Sequence, residues 1–311
     1  MTPMPRLKNQ GFTVVELVFA LAVGLIVLTG ALSVLVTTYK SSGGGEVREE
    51  VYRNARFVGM SLERDLQTTG VGINTTSSFG TLAVWNDTIV TLRIPYSPNQ
   101  APVHNLVPPA GTNNPLAAGG TCGTYCVDVQ KGPGAFDLKA GDLARLQVAS
   151  TLRLILVSGV VVKDTGTMSV TFTSDTFLLH NWAGLAQGLK LDRYATFVQK
   201  LSPVVFWDQS NQVWRAEQVN VGGSLKGAVI AYNVPTLKDS LIFANSLVAA
   251  SADPTGVDTT RTFDKVTGVV IHATATASRP DPRINSGQLF KHSYAWRFSP
   301  RNLMWRYEAL H

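Results

Sequence analysis

Cysteine is scarce in this chain. Its 311 residues hold two, Cys122 and Cys126, in the stretch TCGTYC. The pair is spaced one residue wider than a redox C-x-x-C, and no His or Cys follows it before His180 to complete a zinc site. Two readings remain: a small loop-closing disulfide if the segment lies outside the cytoplasm, or two free thiols. Runs of like charge are absent too. The formal net charge is +6, and Arg6 and Lys8 supply two of those charges at the amino end, so the remainder is only mildly basic. That is a poor match to a surface built for the phosphate backbone. No HExxH, GxSxG or P-loop pattern occurs, and the five histidines, His104, His180, His272, His292 and His311, are scattered. The glycines of GGGEV lack the lysine of a phosphate loop and read as a hinge, while DPTGVD, with Asp253 and Asp258, lacks the alternating ligands of a calcium loop and reads as a turn. Glu63 and Asp65 read as part of a solvated helix face. No catalytic constellation, metal site or cofactor is expected.

What is present begins with the longest uncharged run. Residues 17–36 read LVFALAVGLIVLTGALSVLV, without charge or proline, and match the ~20 residues that a bilayer-spanning helix needs. Thr29 and Ser33 can bond back to the preceding turn, and Gly24 and Gly30 weaken the helix locally by up to about 1 kcal/mol each. A cleaved secretory signal has a shorter apolar core and a small-residue cleavage site, to which SVLVTTYKSSGGG is a poor match. Arg6 and Lys8 precede the run, whereas Lys40 is followed by a mixture of Glu46, Arg48, Glu49 and Glu50. The positive-inside bias therefore predicts a single-pass protein with its amino end inside and its body outside.

Glu16 breaks the apolar pattern in GFTVVELVFA. A carboxylate in the bilayer costs a few kcal/mol unless it reaches an interface or a partner, and near the helix end it can snorkel to the headgroups. A cut after Gly11 offers a second solution. Phe12 then carries a free α-amine, and a carboxylate four residues on can pair with the amine of an adjacent copy displaced along the helix axis. Two unit charges about 4 Å apart attract by about 4 kcal/mol at an effective dielectric near 20, partly offset by desolvation. Such a pair fixes the axial register of packed helices.

The stretch KNQGFTVVELVFALAVGLIVL resembles the class III signal of type IV pilins and pseudopilins: a short basic leader, Gly before the cut, Phe after it, Glu four residues later and an apolar helix. The resemblance implies cleavage between Gly11 and Phe12 and N-methylation of Phe12 by a prepilin peptidase. It also implies that Glu16 recruits or registers neighbouring subunits. Many major pilins carry a mid-helix proline where this chain has Ser33, so a kink there is not implied. SLERDLQTTGVG, the strands around Trp207 and Trp214, and the closing FSPRN are similar to PilW-type minor pilins.

Beyond KSSGGG, the residues Val47, Val51, Ala55, Val58, Leu62 and Leu66 form one apolar stripe, which predicts an amphipathic helix stopped by Gly70 and Gly72. The glycines at 43–45 should loosen its join to the apolar helix. From about Phe79 the pattern turns to strands: a hairpin around Asn86 and Asp87, strands in GDLARLQV, TLRLILVSGVVV and MSVTFTS, a pair joined near 209–211, and late strands in KVTGVVIHATATA and KHSYAWRFSPRNLMWRYE. Two long loops, 96–121 and 251–262, interrupt them. Trp85, Trp207, Trp214, Trp296 and Trp305 are expected to pack within the sheets; with Arg215, Arg301 and Arg306 some of them could instead form a DNA- or surface-binding patch.

The expected fold class is α+β: a long N-terminal helical spine, transmembrane and then amphipathic, packed on a large antiparallel β-rich pilin-type domain. The expected divisions are a leader at 1–11, a transmembrane and assembly helix at 12–40, an amphipathic helix at 46–70 and a β-rich body at 71–311. At roughly 240 residues that body predicts inserted loops or a second β-subdomain. The resemblance implies a non-enzymatic minor pilin of the inner membrane and then of the pilus or cell surface. Its partners would be prepilin peptidase, other minor and major pilins and the inner-membrane assembly platform, with no small-molecule substrate. The other readings are a minor pseudopilin of a type II secretion system, a pilus-borne adhesin or DNA-uptake subunit, and a membrane-anchored periplasmic enzyme.

Overall fold

The structure, a computed structural model, describes residues 13–85, 87–96, 103–107, 126–131, 138–148, 151–173, 196–219, 225–253, 257–281, 283 and 287–304. The chain is α+β: one long N-terminal helix followed by a large antiparallel β-rich region. Helix α1 runs unbroken over Val14–Gln67. The stripe read from the sequence is its buried side, with Val47, Val51, Ala55, Val58, Leu62 and Leu66 each at most 1% exposed. Gly70 and Gly72, at φ +78° and +75°, turn the chain away after the helix with backbone angles that a side chain would strain.

The contacts divide the chain into two compact units. The first joins residues 1–50 to 277–290. Here the join between the helix halves differs from expectation, because α1 continues through Gly43, Gly44 and Gly45. Gly44 is buried, and a Cβ on it would collide with the Arg283 guanidinium. The missing side chain thus serves a close approach, while the flanking turns keep the helix hydrogen-bonded. Around it, the buried Asp281 carboxylate accepts from the Arg283 amide (2.9 Å) and from the Nε of Arg48 (3.3 Å) and of Arg283 (3.4 Å). The Arg283 amide first, then these guanidiniums, hold its pKa below the usual carboxylate value. Arg279 pairs with Glu46, the Ser278 hydroxyl donates to Glu50 at 2.8 Å, and Arg48 lies over the Phe290 ring.

The second unit joins residues 51–276 to 291–311 and holds most of the strands. In chain order these are β1 (Leu82–Trp85), β2 (Thr88–Arg93), β3 (Val103–Val107), β4 (Cys126–Gln130), β5 (Leu143–Val148), β6 (Thr151–Val162) and β7 (Thr167–Thr173). They continue with β8 (Thr196–Gln209), β9 (Gln212–Val219), β10 (Leu225–Tyr232), β11 (Thr236–Phe243), β12 (Val248–Ala249), β13 (Val266–Pro280) and β14 (Leu289–Phe298). The predicted hairpins are present. Asp87 (φ 59°) turns β1 into β2, and Ser210 and Asn211, both at positive φ, join β8 to β9 as a two-residue connection of this kind requires.

Strand β8 is the organiser of the larger sheet. Its first half pairs with β3 on one side and β5 on the other, and its second half pairs with β2 and β9. Following the pairings β8–β3–β4–β7–β6–β5 leads back to β8, so six strands close into a ring. Leu106, Val127, Val129, Leu146, Ile155, Val157, Met168, Val170, Phe172 and Val198 fill one core cluster drawn from all six. The ring lies within the second unit. Closure leaves none of the six as an open edge on that side. The other sheet has the order β12–β11–β13–β14.

Four expectations need correction. β3 lies inside the stretch read as the loop 96–121; its few apolar residues, hemmed in by proline, pair because β4 and β8 flank them. The last predicted strand ends at Phe298, and 301–304 form a helical turn after Pro300, whose ring cannot donate to a ladder. The glycines at 43–45 do not interrupt α1. Asp65 is not solvated: it is 3% exposed and accepts Arg215 Nε at 2.6 Å and Arg64 Nε at 3.3 Å, while its neighbour Glu63 stays exposed. Arg215 also pairs with Glu217 at 2.6 Å and ties β9 to the helix.

Removing one partner of such a buried pair strands the other. Asp65→Ala is therefore expected to cost about 3 kcal/mol in denaturant unfolding of the detergent-solubilised chain. The double change Asp65→Leu with Arg215→Met should recover most of it.

Candidate functional site

The start of α1 is a long exposed apolar stretch among the described residues. Every residue from Thr13 to Ser42 is exposed, including Phe19 and Ile26, both at 71%. Among the described residues this is the one helix long and apolar enough to cross a membrane. From Val14 to Val36 it rises about 33 Å at 1.5 Å per residue, against a hydrocarbon core of about 30 Å. Its threonine hydroxyls bond back to the helix. Thr29 Oγ1 donates to Leu25 O (2.7 Å), Thr37 Oγ1 to Ser33 O (2.8 Å) and Thr38 Oγ1 to Val34 O (2.8 Å). At Ser33 α1 continues as helix.

Glu16 is the only charged side chain between Thr13 and Tyr39. It lies at the third position of the helix, and Thr13 is the N-cap. Thr13 N and Thr13 Oγ1 donate to Glu16 Oε2 at 3.1 and 3.0 Å, and Glu16 N donates to Thr13 Oγ1 at 3.3 Å. This is a reciprocal capping box, which satisfies helix-start amides that lipid cannot. The sequence reading missed it, although T-V-V-E at 13–16 carries the T-x-x-E signature. One carboxylate oxygen, Oε2, is thus engaged within the chain, and Oε1 has no hydrogen bond among the described residues.

The other residues singled out from the sequence fall into two groups. Arg6, Lys8, Gly11, Phe12, Cys122, His180, His311, Trp305 and Arg306 lie outside the described residues. Of the rest, Cys126 opens β4 and is 2% exposed, opposite Thr171 of β7. His104 is buried in β3, with Nδ1 3.1 Å from Gln130 O. His272 and His292 are exposed on separate strands, and no group of three potential metal ligands forms among the described residues. Asp258 accepts from Thr260 and Arg261, which hold its pKa at about 2, and Asp253 accepts the Asp258 amide at 2.7 Å. Trp207 and Trp214 stack across β8 and β9 at 6.0 Å. Beside these rings Arg215 is committed to Asp65 and Glu217.

Thr13→Val should fray the first helical turn by about 1 kcal/mol. The check is faster hydrogen exchange at the amides of residues 14–17 in the detergent-solubilised chain, with exchange beyond Val51 unchanged.

The family model described as the prokaryotic N-terminal methylation motif matches residues 6–32. No curated protein and no solved structure matches the chain. The matched segment contains the capped Glu16 and more than half of the exposed apolar helix, and it supports a type IV pilin-like or pseudopilin precursor: a substrate of prepilin peptidase that assembles with other pilins.

Proposed function

We propose that this chain is a minor pilin of a type IV pilus, anchored by α1 with its amino end inside and its body outside, and that it primes or joins filament assembly after processing. It has no enzymatic role of its own. Cleavage between Gly11 and Phe12 removes the leader 1–11 with Arg6 and Lys8, and exposes the Phe12 amine, which is then N-methylated and remains cationic. The amine of one subunit meets the Glu16 carboxylate of the next, and the body stays outside the bundle of helices. The observation that carries this reading is Glu16 at the head of a wholly exposed apolar helix, with Thr13 holding Oε2 and leaving Oε1 open. An ammonium at Oε1 would complete the carboxylate's shell without breaking the capping box. The minor rather than major role is supported by the size of the body, which carries a closed six-stranded ring beside a second sheet. It is supported further by the PilW-like stretches.

Mass spectrometry of the protein from sheared filaments tests the reading. The mature chain should begin at methylated Phe12 and be present at a small fraction of the main subunit; an uncut chain in filaments would overturn it. Glu16→Ala should leave cleavage intact and lower incorporation by tenfold or more, since a contact of about 2 kcal/mol would suffice for that. Cys122 and Cys126 are proposed to form a bridge at the entry to β4. Peptide mapping of the unreduced protein should then recover them as one cross-linked fragment that separates on reduction.

A further inference from the structure

Strand β11 is where the two sheets of the second unit meet, because it packs against β1 and against the end of β8. One contact is polar: Asp208 Oδ2 near the end of β8 accepts the amide of Leu237 in β11 at 3.2 Å. Two residues further along β11 stands Asp239, only 6% exposed, with neither carboxylate oxygen hydrogen-bonded among the described residues. Its place in the ladder is opposite Ile271 of β13. The neighbouring pair on that ladder, Lys238 and His272, is exposed on the opposite side of the pleat. The charges that reach Asp239 are those of Asp87 in the β1–β2 turn and Asp208 on β8, and both are acidic. None of the ion pairs among the described residues includes it.

A buried carboxylate with no donor beyond its own backbone amide, no cation and two anions for neighbours cannot stay ionised at low cost. The three acids do not converge closely enough to form a metal-ligand group. We propose that Asp239 is protonated in the folded protein at neutral pH and acts as an alkaline-sensitive latch between β11 and the end of β8. Ionisation would place a third negative charge in the seam and push β11 away from Asp208. Burial first, then Asp87 and Asp208, push its pKa up to about 8, while burial raises that of Asp208 as well. The folded chain therefore keeps a proton that the unfolded chain releases near pH 3.8. Folding stability from this group is fully present below that value, declines by up to tenfold in the folding equilibrium constant per pH unit, and levels off above about pH 8.

The test is denaturant unfolding of the full chain in detergent from pH 5 to 9.5, followed by tryptophan fluorescence and compared with Asp239→Asn. The ratio of folding constants, wild type over variant, should fall by at least tenfold between pH 5 and 8 and then flatten. Asp208→Asn should move the flattening point to lower pH, because it removes one of the opposing charges. A ratio independent of pH would overturn the proposal. So would recovery of wild-type stability at pH 9 on addition of calcium or magnesium chloride, since that would mark a cation site. If Asp239→Asn does not fold, infrared difference spectra of the wild type decide. A protonated carboxyl band present at pH 7 and lost by pH 9.5 supports the latch, and its absence at pH 7 overturns it.

Discussion

The apolar surface that α1 leaves bare is the constraint on which the functional reading depends. More than twenty consecutive residues are exposed among the described residues, and a contiguous apolar surface of that extent is not stable in water. Lipid and the helices of other subunits are the two environments that cover it. Both require that every polar group along it be satisfied internally, and this one condition accounts for the back-bonded threonines and for the capping of the first turn. Glu16 acts under that condition. Toward its own chain it caps the helix through Oε2; Oε1 has no hydrogen bond among the described residues. The lone charge in a greasy segment is thus an internal necessity of its own helix.

Much of this was legible in the sequence because its signals are local and strongly periodic. The stripe from Val47 to Leu66 follows the helical repeat without a lapse, and each of its members is buried. The β1–β2 and β8–β9 hairpins announce themselves through Asp87 and through Ser210–Asn211, residues that tolerate positive φ. What stayed hidden depends on contacts remote in sequence. Nothing in VHNLV marks β3 as a strand, since its pairing partners lie in 126–130 and 196–209. Asp65 looks like any acid on a helix until Arg215, a hundred and fifty residues away, arrives beside it. The closed ring was visible only as surplus length, because closure is a property of pairing and leaves no trace in composition.

The three glycines at 43–45 show how a correct propensity can lead to a wrong structural expectation. Glycine does weaken a helix, by up to about 1 kcal/mol per residue. At Gly44 that loss is offset by what the bare backbone admits: Arg283 lies across it, held by Asp281, which in turn holds Arg48 one turn further on. The helix therefore gains tertiary contacts at the point where its own propensity is lowest. Sequence alone weighed only the intrinsic term.

Buried carboxylates give the sharpest comparison across the molecule, because the number of donors around each decides what it does. Asp281 has an amide and two guanidiniums, and its pKa lies below the ordinary value. Asp65 has two arginines and is a fixed cross-tie between helix and sheet. Asp239 has none beyond its own amide, among neighbours that are themselves acids. Asp281 and Asp239 are both buried, yet their pKa values move in opposite directions, so burial alone does not set the charge state. Where donors converge, a buried acid stays ionised and fastens the fold; where they are missing, it keeps a proton, and the fold acquires a dependence on pH that no exposed residue would give it.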